Sequence, residues 1–191
     1  MSYSSEFQTI ELLEKSQAET RAVDAFALAL IKAERQLRKL FTFLIFQNSA
    51  FDRESVAELR NTLAKKKAIY FEGFLRGFNE ISPVPVDQLV GADYTDLRKA
   101  LDEAIAIRNK VFHGQVTDQS LSREDLFHYV NQIRKWCQLL ANTATKEIGY
   151  DGFGRNSYRK AATRLRLRCT FSNFAEYGVF WDRVLSRPRK K

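Results

Sequence analysis

The chain has 191 residues, of which 45% are hydrophobic and 28% are charged. This length suits one domain with a packed core, and the composition excludes collagen-like, disulfide-rich and intrinsically disordered chains. Two cysteines, Cys137 and Cys169, cannot build a disulfide scaffold or a cysteine-rich zinc module, and they favour a reducing compartment. The N-terminus lacks a signal-peptide pattern, and the longest apolar run is far short of the ~20 residues of a membrane span. We therefore expect a cytoplasmic protein.

The net charge of +8 is concentrated in the C-terminal part of the chain. Residues 150–191 hold eleven Lys or Arg against three Asp or Glu, whereas residues 1–149 hold twenty of each. Such an asymmetry is typical of proteins that bind a polyanion, most often nucleic acid. The alternative is a solvated tail that only aids solubility.

The first two helical segments are indicated by apolar residues that recur at spacings of three and four. Residues 6–47 contain neither Gly nor Pro and form either two helices or one bent helix, because forty residues are long for a globular helix. The next helix begins near Asp52 as its N-cap. It ends before Ser82-Pro83-Val84-Pro85, because each proline disfavours helix in the residue before it.

A third helix is predicted from Asp93 or Thr95 to His113, with Gly114 in the position of a C-terminal glycine. Its apolar residues cover most of the helix circumference instead of forming one stripe. Such a helix is buried on several sides. We expect it either at the centre of the bundle or with one face against another subunit.

A fourth helix begins at Ser122, with Asp125 in the capping-box position, and ends at Gly149. Together these segments predict an all-α fold, an up-and-down bundle of four to five long helices over residues 1–149. Residues 150–191 form a basic, aromatic-rich extension that is packed on the bundle or trails from it.

In the extension, arginine and apolar residues alternate strictly over residues 163–169. In a strand, the arginines would lie on one face and the apolar residues on the other. Because a single strand needs a partner, a helix or a flexible tail is also possible for these residues. Residues 171–185 are predicted to form a last short helix. The arginines could track a phosphate backbone, and the aromatic residues either stack on bases or dock the segment onto the bundle. The candidate RNA-binding residues are Arg155, Arg159, Arg164, Arg166 and Arg168. The aromatic residues in question are Phe153, Tyr158, Phe171, Phe174, Tyr177 and Trp181.

Common catalytic and cofactor motifs are absent from the sequence: it holds no GxxxxGK[ST], GxGxxG, HExxH or GxSxG pattern. Two histidines exclude a multi-histidine metal site. We therefore expect no metal and no cofactor.

The remaining candidate site is Arg108-Asn109-Lys110-Val111-Phe112-His113, at the end of the third helix. Histidine titrates near neutrality and can take the proton of an RNA 2′-hydroxyl or supply one to the leaving group. The arginine fork can hold the phosphate and stabilise the charge on its oxygens. Alternatively, Arg108 pairs with a carboxylate such as Asp102, Glu103 or one on another helix, and His113 only caps its own helix.

The pattern Arg108-Asn109-x-x-x-His113, at the end of a helix in an all-α bundle, resembles the R-x4-6-H signature of the HEPN ribonuclease superfamily. The resemblance implies a helical bundle that typically dimerises, so that two copies of the motif form one composite, metal-independent RNase site. It implies catalytic roles for Arg108 and His113, a supporting role for Asn109, and a toxin or phage-defence function. Some HEPN-like bundles are non-catalytic binding modules. We expect RNA as the partner, together with a neutralising or activating protein, because an uncontrolled RNase would harm its host.

Overall fold

The computed structural model describes residues 3–65, 70–112, 121–154 and 156–186. Over these ranges the chain is all-α, as predicted, and contains no strand. A 3-10 turn over Gly91–Asp93 precedes the sixth α-helix. The α-helices in chain order are α1 (Tyr3–Lys15), α2 (Arg21–Phe46), α3 (Val56–Lys65), α4 (Phe71–Ile81), α5 (Val86–Val90), α6 (Tyr94–Phe112), α7 (Arg123–Ile148) and α8 (Phe174–Ser186).

Helix α2 is the centre of the fold. It packs most extensively against α7, and also against α4 and α1. Its predicted apolar stripe is buried, with Phe26, Leu30 and Leu37 each at most 3% exposed. Over Leu40–Phe46 every residue is buried, because other elements cover all sides of its C-terminal half. Such an all-round apolar stretch is what an interior helix requires.

Each of the first two predicted helical segments is divided into two helices in the structure. Residues 6–47 form two helices, which was one of the two alternatives. The prediction of a single helix from Asp52 to Ser82 is wrong, because α3 ends at Lys65 and the extended backbone of Tyr70 precedes α4. Residues 66–69 lie outside the described ranges. Helix α4 ends at Ile81, before the prolines, as predicted.

Helix α6 lies at the side of the bundle, so of the two alternatives for this helix the central position is wrong. It packs mainly on α7 through Leu97, Leu101 and Ala104, which are buried. Ala106 and Asn109 are exposed. The centre is occupied by α2, whose longer apolar stretch gains more from burial.

Helix α7 begins and ends as predicted. The Asp125 N–H donates to Ser122 Oγ at 3.1 Å, and the Ser122 N–H donates to Asp125 Oδ2 at 2.9 Å, which completes the capping box. Gly149 has a φ of 77° and ends the helix in the left-handed conformation that glycine tolerates best.

Of the alternatives for residues 163–169, the strand is wrong: the segment is neither strand nor helix, and no neighbouring strand lies within the described ranges. The Arg168 N–H instead donates to the carbonyl of Ile81 at 2.9 Å, at the end of α4. The alternation itself does appear as alternating burial. Arg164 and Arg166 are exposed, whereas Leu165 and Leu167 are half-buried against the core. The predicted last short helix is confirmed as α8.

Hydrogen bonds from polar side chains attach the C-terminal residues to α2. Gln36 Nε2 donates to the carbonyls of Cys137 and Asp151, at 3.0 and 3.1 Å. Lys160 Nζ donates to the carbonyls of Phe46, Asn48 and Phe51 at 2.5, 2.9 and 2.8 Å. A cation beside carbonyls at a helix C-terminus also complements the helix dipole. No helix in the described ranges is long and apolar enough to cross a membrane.

Candidate functional site

The guanidinium of Arg108 lies between two helices near the C-terminus of α6. Its Nη1 donates to Glu34 Oε1 on α2 at 2.7 Å, and this contact is also an ion pair. Its Nη2 and Nε donate to Asn109 Oδ1 at 3.1 and 3.4 Å. The Arg108 side chain is 18% exposed and that of Glu34 is 31% exposed, so the pair is accessible from solvent on one side.

Arg108 keeps donor capacity beyond these contacts. A guanidinium has five N–H groups, and the bonds to Glu34 and Asn109 use one on each of its three nitrogens. Two N–H groups are left for an oxyanion ligand. The Glu34 carboxylate reduces the net charge at this point, but it also fixes the orientation of the fork.

The alternative that Arg108 pairs with a carboxylate on another helix is confirmed. The carboxylates on its own helix have other partners. Asp102 accepts from Arg98 Nε and Nη2 at 2.9 and 2.8 Å, and Glu103 accepts from the Tyr129 hydroxyl at 3.1 Å. Arg108 therefore reaches across to α2.

Two of the predicted site residues cannot be placed. His113 and Arg155 lie outside the described residues, so their roles stay predictions. Asn109 is exposed, and its carbonyl oxygen accepts from Arg108, as a supporting polar contact would. Helix α6 extends to Phe112, directly before His113.

The remaining candidate RNA-binding arginines differ in what they contact. Arg159 Nη2 donates to the carbonyl of Gly149 at 2.9 Å, and its guanidinium lies over the rings of Phe43 and Tyr150. Arg168 Nη2 donates to the carbonyl of Pro83 at 3.2 Å. Both contacts tie the C-terminal segment to the bundle.

Arg164 and Arg166 differ from Arg159 and Arg168. All four side chains are exposed, and Arg164 and Arg166 lie on the same side of the segment, because Leu165 and Leu167 alternate with them and are half-buried against the core. Neither Arg164 nor Arg166 makes a hydrogen bond or ion pair within the described part of the chain. Of the predicted arginines that the structure describes, these two are the most available to a phosphate backbone.

The structure does not bring Arg108 and the arginine segment together. Arg108 meets α2 at Glu34, whereas the segment meets the end of α2 at Gln47, which accepts from the Ala161 N–H at 2.8 Å. Thirteen residues of helix separate these points, about 20 Å at 1.5 Å per residue.

Most of the C-terminal aromatic residues dock the segment, which confirms that alternative for them. Phe153, Phe171, Tyr177 and Trp181 are at most 4% exposed, so their ring faces are not open to bases. Phe174 and Tyr158 are half-buried, and the Arg60 guanidinium lies 5.0 Å from the centre of the Tyr158 ring.

Burial raises the pKa of several tyrosines and of both cysteines. The pKa of Tyr150 rises to about 12 because its hydroxyl is desolvated, and that of the fully buried Cys137 thiol also rises. At neutral pH these groups are therefore uncharged. Within the described ranges, no three His, Cys, Asp or Glu side chains lie close enough together to hold a metal ion.

Comparisons with protein-family models, curated proteins and solved structures find no significant match to this chain. The resemblance to the HEPN superfamily is therefore carried by the sequence of residues 108–113 and by the position of Arg108 near the C-terminus of α6.

Proposed function

We propose that the protein is a metal-independent endoribonuclease, a HEPN-like up-and-down bundle that cuts RNA through attack by the 2′-hydroxyl. His113 acts as general acid or base, Arg108 holds the scissile phosphate, and Asn109 orients the guanidinium. The observation that carries this proposal is the placement of Arg108. Glu34 and Asn109 hold its fork at the end of α6, with two N–H groups left for an anion, five residues before His113.

The proposed reaction needs only a base, an acid and a phosphate clamp. The base removes the proton of the 2′-hydroxyl, whose oxygen attacks the adjacent phosphorus, and the bond from phosphorus to the 5′-oxygen breaks. The acid then protonates that oxygen. The products are a 2′,3′-cyclic phosphate and a 5′-hydroxyl. Arg108 stabilises the charge that develops on the phosphoryl oxygens.

A homodimer would supply both proton-transfer groups. With one His113 from each protomer, one imidazole removes the proton and the other donates one. The half-buried Ile105 and Ile107 leave apolar surface on α6 that a second copy could cover. We place this activity in the cytoplasm, in a toxin or phage-defence role, with a neutralising or activating protein as a further partner.

Arginine substitutions test the assignment. RNA is incubated with the wild type, Arg108→Ala and Arg108→Lys in the presence of EDTA. We expect both variants to lose most cleavage, since lysine cannot replace a fork that contacts Glu34, Asn109 and phosphate at once. Arg134→Ala is the matched control, because Arg134 forms a similar ion pair with Glu11 at 2.7 Å on another face. Unchanged cleavage by Arg108→Ala contradicts the proposal.

The second candidate function is a non-catalytic nucleic-acid-binding bundle. It is favoured by the ion pair with Glu34, which gives Arg108 a structural role without any substrate. This candidate predicts salt-dependent binding of RNA or DNA without cleavage, because phosphate contacts release counterions. Substitutions at Arg164 and Arg166 would then weaken binding, while Arg108→Ala would leave it unchanged.

A further inference from the structure

A basic pocket lies on the side of α2, between the positions at which Arg108 and the arginine segment meet this helix. It is formed by α2, α3, α4 and residues 156–158, and its volume is about 470 Å³. This volume is in the range of small-molecule sites. The residues that line the pocket are Arg38, Lys39, Thr42, Arg60, Leu63, Ala64, Phe74, Asn156, Ser157 and Tyr158.

The polar side of this basic pocket is cationic. Arg38 and Arg60 are exposed, and no carboxylate is among the described residues that line the pocket. Lys39 is held in place, because its Nζ donates to the carbonyls of Phe153 and Gly154 at 3.3 and 2.9 Å. Two guanidinium groups beside a fixed ammonium are suited to a phosphate group.

Asn156 adds uncharged donors to the same side. Its Oδ1 accepts from the Tyr158 N–H at 2.9 Å, which orients the amide and leaves its N–H₂ group available. The Arg60 guanidinium is positioned over the Tyr158 ring, 5.0 Å from its centre. These two contacts fix donors in advance of any ligand, which reduces the entropy lost on binding.

The other side of the basic pocket is apolar. Leu63 on α3 is half-buried, Ala64 beside it is exposed, and Phe74 on α4 is 9% exposed. The Phe74 ring is held by Phe41 and Trp181, with ring centres 5.8 and 5.9 Å away. Inorganic phosphate would use only the cationic side. A ligand that uses both sides carries a phosphate and a flat apolar group.

We propose that this basic pocket binds a phosphorylated nucleoside, with its phosphate at Arg38 and Arg60 and its base against Leu63 and Phe74. The ligand is either a free nucleotide or one nucleotide unit of a nucleic-acid strand. Arg38 lies one helical turn beyond Glu34 on the same face of α2. If the protein is a ribonuclease, an RNA strand bound at Arg108 would continue into this pocket. Only this path of the RNA depends on the proposed function.

Binding assays with uncleavable probes test this site separately from catalysis. The probes are 5′-AMP and a twelve-residue single-stranded DNA, which lacks the 2′-hydroxyl and therefore stays intact. Arg38→Gln and Arg60→Gln each remove one pocket cation. Arg53→Gln is the matched control, since Arg53 is an exposed arginine just before α3 that does not line the pocket. Thermal unfolding of each variant shows whether it is folded.

We expect the pocket variants to weaken binding at least 10-fold and the control less than 2-fold. Binding of AMP with this dependence identifies a free-nucleotide site, and binding of the DNA alone identifies a strand subsite. Equal weakening by all three variants, or no binding of either probe by the wild type, overturns the proposal. If binding depends on Arg38 and Arg60 but the protein cuts no RNA, the proposal of a nucleotide site holds and the proposal of a ribonuclease fails.

Discussion

Glu34 on α2 and Arg108 on α6 form a half-buried ion pair, with Oε1 and Nη1 2.7 Å apart. The contact joins two helices that otherwise touch little. In a ribonuclease this ion pair would hold the phosphate-binding fork in position, and Glu34 would then be a positioning residue that does not touch the substrate.

Replacement of this carboxylate should therefore reduce catalysis. We expect Glu34→Gln to lower kcat by about 10- to 100-fold with little change in KM, because a misplaced fork loses transition-state contacts. RNA cleavage rates measure this effect. Glu11→Gln removes the partner of another paired arginine and should leave the rate unchanged. A higher rate for Glu34→Gln would show instead that Glu34 withholds Arg108 from the substrate.

Two glycines give a matched test of how closely the C-terminal segment approaches α2. Gly149 and Gly152 have φ values of 77° and 82°. A Cβ on Gly152 would lie 2.6 Å from Gln36 Cγ and 3.0 Å from Leu40 Cγ, whereas a Cβ on Gly149 would meet nothing within 4 Å. We expect Gly149→Ala to lower the free energy of unfolding by about 1–2 kcal/mol, from backbone strain alone.

For Gly152→Ala we expect a further loss of about 1–3 kcal/mol, because the methyl group must also displace its neighbours. Urea unfolding curves of the two variants and the wild type give the comparison. Equal destabilisation by the two substitutions would contradict the close contact between residue 152 and α2.

The packing of α8 makes the C-terminal segment part of the core. Trp181 is fully buried, and its ring centre lies 4.8 Å from that of Phe41 on α2. We expect Trp181→Ala to lower the free energy of unfolding by about 3–5 kcal/mol. Val179→Ala on the same helix is the control, because Val179 is 68% exposed. A loss below about 1 kcal/mol for Trp181→Ala would show that the segment is a loosely attached tail.

The capping box of α7 should make stability depend on pH in the acidic range. Hydrogen bonds from the Ser122 side chain and backbone hold the pKa of Asp125 below the ordinary value of 3.8. Because the pKa of Asp125 is lower in the folded state, its ionised carboxylate stabilises the folded protein. This stabilisation is complete above pH 3.8 and is lost as the pH falls through the folded-state pKa. Asp125→Asn removes the titrating carboxylate.

Urea unfolding at several pH values tests this dependence. The stability difference between wild type and Asp125→Asn should be constant above the ordinary aspartate pKa and should shrink below it. A difference that does not change with pH would mean that the Asp125 charge contributes nothing to the cap.

The local features of the fold could be predicted from the sequence. The period of apolar residues, the prolines after Ile81 and the capping pair Ser122 and Asp125 act within one or two helical turns. Each is therefore visible in a short window of sequence. These features placed α2, α6 and α7 and the end of α4.

Apart from the division of the predicted helix between Asp52 and Ser82, the errors concern contacts between residues that are distant along the chain. The extended segment around Arg166 has the alternation of a strand, but its backbone partner is one carbonyl at Ile81. The docking of residues 150–186 depends on Gln36 and Lys160, whose acceptors lie on other elements. No short window of sequence contains such a pairing.

The candidate site was predicted in part. Arg108 and Asn109 were identified from their motif, whereas Glu34, Arg38 and Arg60 were missed. Glu34 is the one acidic residue of α2 beyond its first turn, and this isolated carboxylate could have indicated a partner for Arg108. The proximity of Arg60 to Arg38 requires the packing of α3 on the bundle, which periodicity does not specify.

The proposed ribonuclease activity depends on acid–base catalysis by His113 without a metal. The most direct measurement compares the purified wild type with His113→Ala on total RNA in EDTA and maps the new ends. We predict 2′,3′-cyclic phosphate and 5′-hydroxyl ends that only the wild type produces. Equal cleavage by His113→Ala, or ends that carry a 3′-hydroxyl and a 5′-phosphate, would contradict this mechanism.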